Sequence, residues 1–178
     1  MKPIIIERSR DIPIKINIKL NKMKPLFIFD IHKTTLLKSE KPDKDVMKYI
    51  KQLLKHKYNI VFLSYDGNDK RIVYNNSLID KVEIYRHIPR IFIKKRRKHL
   101  VLKYLAKLLY KISNKIKLNS ILIDDNINNI KDVLGLNNKY MLAYYYTKNN
   151  RYNVNDNLHN LSNHFPILQL SKDGKFMV

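Results

Sequence analysis

The chain has 178 residues, no cysteine, and 36 Lys and Arg against 15 Asp and Glu, for a formal charge of +21. That length suits one domain burying about two-thirds of its unfolded surface, and the absence of cysteine excludes disulfides, thiolate zinc sites and cysteine nucleophiles. The charge makes a nucleic acid, a phosphorylated polymer or an anionic surface the expected partner. The excess of Lys, Asn, Ile and Tyr also fits an AT-rich coding genome, such as that of a virus, an organelle or a reduced parasite. No apolar run reaches the ~18 residues of a bilayer span, and Pro3-Ile4-Ile5-Ile6 is too short for a signal segment, so the expectation is a soluble intracellular protein without membrane insertion.

Residues 1–23 read as a basic N-terminal arm or added strand ahead of a main domain, 24–178. Within them Ile14, Ile16, Ile18 and Leu20 alternate with Lys15, Asn17 and Lys19, the period of a half-buried strand with a basic face. Such a segment is either an extra sheet edge or an arm lying on a partner. The run Pro25-Leu26-Phe27-Ile28-Phe29-Asp30 is apolar and ends in a carboxylate, which predicts a buried strand presenting Asp30-Ile31-His32-Lys33-Thr34 at its carboxyl end. Pro42, Asp43 and Asp45 open a helix over 42–56, with Val46, Tyr49, Ile50, Leu53 and Leu54 as its apolar stripe. A second apolar run, 59–64, ends in Ser64, and Tyr65-Asp66-Gly67-Asn68 reads as a turn.

Residues 69–81 have a helical reading that Tyr74-Asn75-Asn76-Ser77 weakens, and 82–85 and 91–93 read as short strands around Pro89. Lys94-Lys95-Arg96-Arg97-Lys98-His99 then opens a long helix to about residue 117, with Leu100, Val101, Tyr104, Leu105, Leu108, Leu109 and Ile112 as its buried stripe. Cations at a helix N-terminus oppose the macrodipole by a few tenths of a kcal/mol or more. Their placement therefore favours a bound anion, and Lys94, Lys95, Arg96, Arg97 and Lys98 are the candidate nucleic-acid contacts. A third apolar run, 120–123, ends in Asp124-Asp125, and a short helix carrying Ile127, Ile130, Val133 and Leu134 stops at Gly135. Residues 140–146 read as a fifth strand, 147–157 as an Asn-rich loop, and Leu158 and Leu161 as a last short helix before Phe165-Pro166-Ile167-Leu168.

Strands alternating with helices predict a Rossmann-like, three-layer α/β fold, a parallel sheet with helices on both faces. Ligand sites in such sheets lie beyond the carboxyl ends of the strands. Strand-Asp30, strand-Ser64, a basic segment and strand-Asp124-Asp125, in that order over 24–146, resemble the haloacid dehalogenase (HAD) superfamily of phosphohydrolases. The first motif of that family is D-x-D-x-T, and here it reads Asp30-Ile31-His32-Lys33-Thr34, with His32 at the second acid. The intervals 35–58 and 65–90 have room for ordinary connections only, which matches the family's capless members, open to bulky substrates.

The resemblance implies that Asp30 is a nucleophile forming an aspartyl-phosphate. It implies Mg²⁺ held by Asp30, Asp124, Asp125 and the backbone carbonyl of His32, with Thr34 completing the first motif. Ser64 would bond a phosphate oxygen, and Lys98, with Lys95 as second choice, would join nucleophile and phosphate. Other readings stand beside these: Ser64 as a turn residue, Asp124-Asp125 as a helix cap, Lys98 as one charge among many. Family members use the second Asp to protonate the leaving group and activate water, work an imidazole can also do. Two functions follow from different classes. One is a Mg²⁺-dependent phosphatase acting on a nucleic-acid end or a phosphoprotein. The other is an inactive HAD-fold protein binding RNA or DNA in a ribonucleoprotein or virion.

Overall fold

A computed structural model describes residues 1–95, 97–112, 120–134, 141–146, 151–153, 169–170 and 176–177. Six parallel strands, β1 (Ile4–Ile6), β2 (Leu26–Phe29), β3 (Asn59–Tyr65), β4 (Arg90–Ile93), β5 (Ser120–Asp124) and β6 (Met141–Tyr146), form one sheet with the antiparallel edge strand β7 (Arg151–Asn153). Their order is β1-β4-β3-β2-β5-β6-β7. A separate hairpin joins β8 (Gln169–Leu170) to β9 (Phe176–Met177).

Side chains on β2 alternate between two cores, as the two-residue period of a strand requires. Phe27 and Phe29 face one core with Tyr49, Ile50 and Leu53 of α2 (Lys44–Lys55) and Ile72 and Ile79 of α3 (Asp69–Asp80). Leu26 and Ile28 face the other, with Ile12 of α1 (Ile12–Lys15), Val101, Leu105 and Leu109 of α4 (Lys98–Ile112), and Ile130 of α5 (Ile127–Leu134). The three-layer α/β architecture is therefore present, with both faces of the sheet covered. α2 begins where the sequence predicts, because the Asp43 carboxylate accepts from the backbone N–H groups of Asp45 and Val46. α3 forms in spite of its Asn-rich centre. Asn68 caps its first turn, and Asn75 is buried and bonded rather than left in solvent.

The chain leaves β2 for β3 and β4 on one side, then crosses through α4 to β5 and β6 on the other. The gap between the ends of β2 and β5 is thus the topological switch point, where open α/β sheets bind their ligands.

Several expectations need correction. The alternating segment 14–20 is not a strand. Pro13 sits in the first turn of α1, where its missing N–H costs nothing, and Ile12 and Ile16 are buried at helical spacing while Ile14 is 78% exposed. The added edge strand is Ile4–Ile6, paired to β4. Residues 82–85 form a 3₁₀ turn, Glu83–Tyr85, with Tyr85 buried edge-on against Phe62. The basic run precedes α4 rather than opening it, since the helix starts at Lys98. Its buried face is also rotated, taking in Lys98, Leu102 and Ala106 and leaving Ile112 42% exposed. Once Lys98 turns inward, the positions three, four and seven residues later must follow it. The Asn-rich loop contains β7. The last predicted helix, with Leu158 and Leu161, lies outside the described residues, as do Gly135 and the extension of α4 past Ile112.

Candidate functional site

Asp30 follows the last ladder residue of β2, and its N–H donates to the Ile123 carbonyl of β5 at 2.8 Å, which fixes its backbone against that strand. The loop after it curls back on itself. Thr35 Oγ1 donates to the Asp30 carbonyl at 2.6 Å, the Leu36 N–H reaches the Ile31 carbonyl at 2.9 Å, and Lys33 takes a left-handed φ of 57°. The side chain of Asp30 is consequently buried at the sheet's carboxyl edge. Thr34 is buried beside it, and its Oγ1 finds no hydrogen-bond partner among the described residues.

On the adjacent strand end, Asp124 Oδ1 accepts from the Asn126 N–H at 2.8 Å, and Oδ2 accepts from Asn129 Nδ2 at 2.9 Å. Lys98 Nζ reaches in from the first turn of α4, donating to Asp124 Oδ2 at 3.0 Å and to Asp30 Oδ1. One ligand oxygen from each of Asp30, Asp124 and Asp125 lies within 4.8 Å of the others. Lys98 pairs with two of these three carboxylates, so ionised side chains leave the cluster two charges negative inside a strongly basic protein.

The electrostatics follow from that imbalance. Burial, together with the neighbouring carboxylates, raises the Asp30 carboxyl well above the ordinary range, although Lys98 pulls the other way. Burial also raises Asp125. Burial disfavours the charged form of Lys98, but Asp30 and Asp124 outweigh it and hold the ammonium protonated. A donor set made only of carboxylate oxygens, without sulfur or imidazole, fits a hard divalent cation. These residues can hold such an ion.

The other side of Asp30 is built differently. His32, with its side chain 43% exposed, places Nε2 3.8 Å from Asp66 Oδ1 at the end of β3. Asp66 is fully buried. Its Oδ2 accepts from Asn75 Nδ2 at 2.9 Å and from the Ser64 hydroxyl at 3.4 Å, and Arg71 Nε stands 3.7 Å from Oδ1. Burial would raise this carboxyl, but the His32 and Asn75 contacts and the charge of Arg71 hold it below the usual value.

The structure thus brings Asp30, Lys98, Asp124 and Asp125 into one cluster, with His32 and Thr34 on the same loop and Ser64 on the neighbouring strand. Ser64 is turned toward Asp66. Lys95, the second choice for the lysine role, is exposed outside the cluster. Asp66, Asn75 and Asn129 were not singled out by sequence. The available signal was the spacing of Asp66, two residues past Ser64 at the same strand end, which the turn pattern at Gly67 hid.

The basic run does not act as one surface. Lys94 pairs with Glu7 at 2.9 Å and Asp69 at 2.7 Å, Lys98 is inside the acidic cluster, and Arg96 lies outside the described residues. The charge conflict expected at the start of α4 is relieved by the protein's own carboxylates, so it does not by itself call for an external anion.

No family model matches the chain, and no curated protein matches it. Among solved structures, an uncharacterized protein from Corynebacterium glutamicum is similar at 11% identity, over 69% of this chain and 85% of that one, with a TM-score of 0.44. Among the described residues no helix is long and apolar enough to cross a membrane.

Proposed function

We propose that the protein is a Mg²⁺-dependent phosphohydrolase of the HAD type, working through an aspartyl-phosphate at Asp30 on a phosphorylated macromolecule. The observation that carries this reading is the convergence of Asp30, Asp124, Asp125 and Lys98 at the switch point of the sheet. A bound Mg²⁺ would supply the positive charge that the carboxylates lack and that an incoming phosphate needs.

The chain's own residues account for the rest. A carboxylate oxygen of Asp30 attacks phosphorus as the bond to the leaving oxygen breaks, and that oxygen takes a proton from His32. A water then attacks the same phosphorus and gives its proton to His32 while the Asp30–phosphorus linkage breaks and phosphate leaves. Imidazoles exchange protons near neutral pH, so one group serves both half-reactions. Asp66 stands 3.8 Å from the ring as a charge partner without hydrogen-bonding it, and Asn75 with Ser64 holds Asp66. Lys98 keeps Asp30 and Asp124 together and faces the oxygens of the transferred group.

The test is thermal unfolding with Mg²⁺ plus beryllofluoride or vanadate, which mimic the phosphorylated and transferring states. A ligand that binds only the native state raises the melting temperature. Wild type is expected to shift and Asp30→Asn is not. No shift in wild type would defeat the reading. A second reading, a scaffold that binds RNA or DNA without turnover, is favoured by one observation, His32 in place of the family's second carboxylate. It predicts no shift in either protein and no phosphate transfer in His32→Asp.

A further inference from the structure

A pocket lies at the same edge of the sheet, where β4 stands two strands away from β2. β1 and β4 end side by side, with Ile6 paired to Ile93 and the Lys94 N–H donating to the Ile6 carbonyl at 3.0 Å. Beyond these ends the chain turns outward twice, into the 3₁₀ turn Ser9–Asp11 and into the segment before α4. The two turns enclose a pocket of about 420 Å³ with Arg8 and Arg10 on one wall, Lys95 and Arg97 on the other, and Ile6 and Ile12 in its lining.

The charges around this pocket are not balanced internally. None of Arg8, Arg10, Lys95 and Arg97 pairs with a carboxylate through its side chain among the described residues. The acids nearby are engaged elsewhere: Glu7 with Lys94, and Asp11 with the Arg8 backbone N–H at 3.1 Å. The Arg97 guanidinium lies 3.2 Å from Ser9 Oγ, which ties the two walls together. Four cations against one carboxylate, Glu7, in the same lining repel each other until an anion enters.

We propose that this pocket binds the phosphodiester backbone of a single-stranded nucleic acid, holding the strand whose terminal phosphate reaches Asp30. Two features choose this ligand over a phosphopeptide. β4 stands two strands from β2, about 10 Å at the ~4.8 Å strand spacing, so two phosphate-seeking sites lie on one edge and need a ligand with repeated phosphates. That span equals about three nucleotides at the ~3.4 Å rise of a stacked strand. Among the described residues no aromatic side chain lines the pocket, so binding rests on phosphate charge rather than base stacking and is sequence-tolerant. Anion binding in the pocket stands on its own geometry, whereas the need for repeated phosphates and the delivery of an end to Asp30 rest on the phosphohydrolase reading.

The experiment is fluorescence anisotropy with a labelled single-stranded oligonucleotide of about a dozen nucleotides, titrated across a range of salt without Mg²⁺. Arg8→Gln/Arg10→Gln and Lys95→Gln/Arg97→Gln test the two walls separately. Lys103→Gln/Lys107→Gln, exposed on α4, removes the same charge elsewhere. Each wall variant is expected to flatten the slope of log K against log salt by up to about 1.4, at ~0.7 for each single-strand phosphate contact. Each is also expected to bind at least tenfold more weakly, while the α4 variant keeps the wild-type slope. Equal losses in all three variants would reduce the effect to net charge and overturn the proposal. So would absence of binding, or displacement of the oligonucleotide by a singly phosphorylated peptide at equal phosphate concentration. A parallel assay of phosphate release from a 5′-phosphorylated oligonucleotide, with Mg²⁺ present, separates the two readings: binding with no release in wild type would defeat the phosphohydrolase and leave the pocket, whereas release by wild type with wall variants that bind as wild type does would do the reverse.

Discussion

Two buried cations stand near opposite ends of the β4 region, and their surroundings differ in one respect that decides their roles. Arg90, 1% exposed, begins β4 at the amino edge of the sheet. Its guanidinium donates to the carbonyls of Tyr85, Arg86 and Ile88 at 3.0, 2.7 and 3.2 Å, to Asn76 at 3.3 Å and to Asp80 at 2.5 Å. The carboxylate there, Asp80, meets a second cation as well, the N-terminal ammonium at 3.5 Å, and neutral groups take the remaining Arg90 donors, so no negative charge is left over. Lys98, 6% exposed, lies past the carboxyl edge, where its ammonium pairs with Asp30 and Asp124 and a third carboxylate, Asp125, joins the same cluster. The amino-edge arrangement is complete as folded, and the carboxyl-edge one still attracts positive charge. Burial of a charge alone therefore does not mark a site; an excess of carboxylate around it does.

Substituting each cation tests the contrast with the largest expected effects. Lys98→Met leaves Asp30 and Asp124 without their buried partner and should cost about 3–5 kcal/mol of stability. Arg90→Met removes the donor from three carbonyls and should cost roughly 3 kcal/mol or more. Denaturant unfolding measures both. The distinguishing result is rescue: millimolar Mg²⁺ is expected to recover stability in Lys98→Met, whose three carboxylates then face no cation, and to leave Arg90→Met unchanged. Equal rescue of both variants, or of neither, would remove the distinction.

A third buried charge sharpens the comparison. Asp66 resembles Arg90 in being held by several neutral or cationic groups, but one of them is the partly exposed His32. If the imidazole handles protons, His32→Ala should slow release of phosphate from Asp30 by 10²–10⁴, the usual range for a lost general acid or base. Loading from an aryl phosphate, whose leaving group needs no proton, should change less. Asp66→Asn should give a smaller loss in the same step, on the order of tenfold, since the ring remains and loses only its orienting charge. Rapid-quench kinetics separates loading from release. An Asp66→Asn variant that slows loading and release equally would make Asp66 a packing residue of the Arg90 kind.

Much of this was legible in the sequence because strand ends are local features. Asp30, Ser64 and Asp124 each close an apolar run, and a parallel sheet brings such ends to one edge without further information. Lys98 was legible too, as a cation at the start of an apolar helical stripe. Partner choice was not, because it is set across the chain: Lys94 finds Glu7 87 residues away, and Lys98 finds Asp30 at a separation of 68. The same non-local pairing divides one run of cations into an ion pair, a cluster member and a pocket wall. At 14–20 two periods competed, and Pro13 with buried Ile12 and Ile16 decided for the helical turn. Asp66 was hidden because a carboxylate followed by glycine carries the composition of a turn even when its side chain points inward.

The proposed reaction requires Asp30 to accept a phosphoryl group. The most direct measurement is intact-protein and peptide mass spectrometry of His32→Ala after incubation with Mg²⁺ and an aryl phosphate, quenched in acid to preserve the acyl phosphate. One added phosphoryl group is expected, located on the peptide containing Asp30 and absent from His32→Ala/Asp30→Asn. An unmodified Asp30 peptide in a folded His32→Ala protein, with Mg²⁺ and ester in excess, would contradict it.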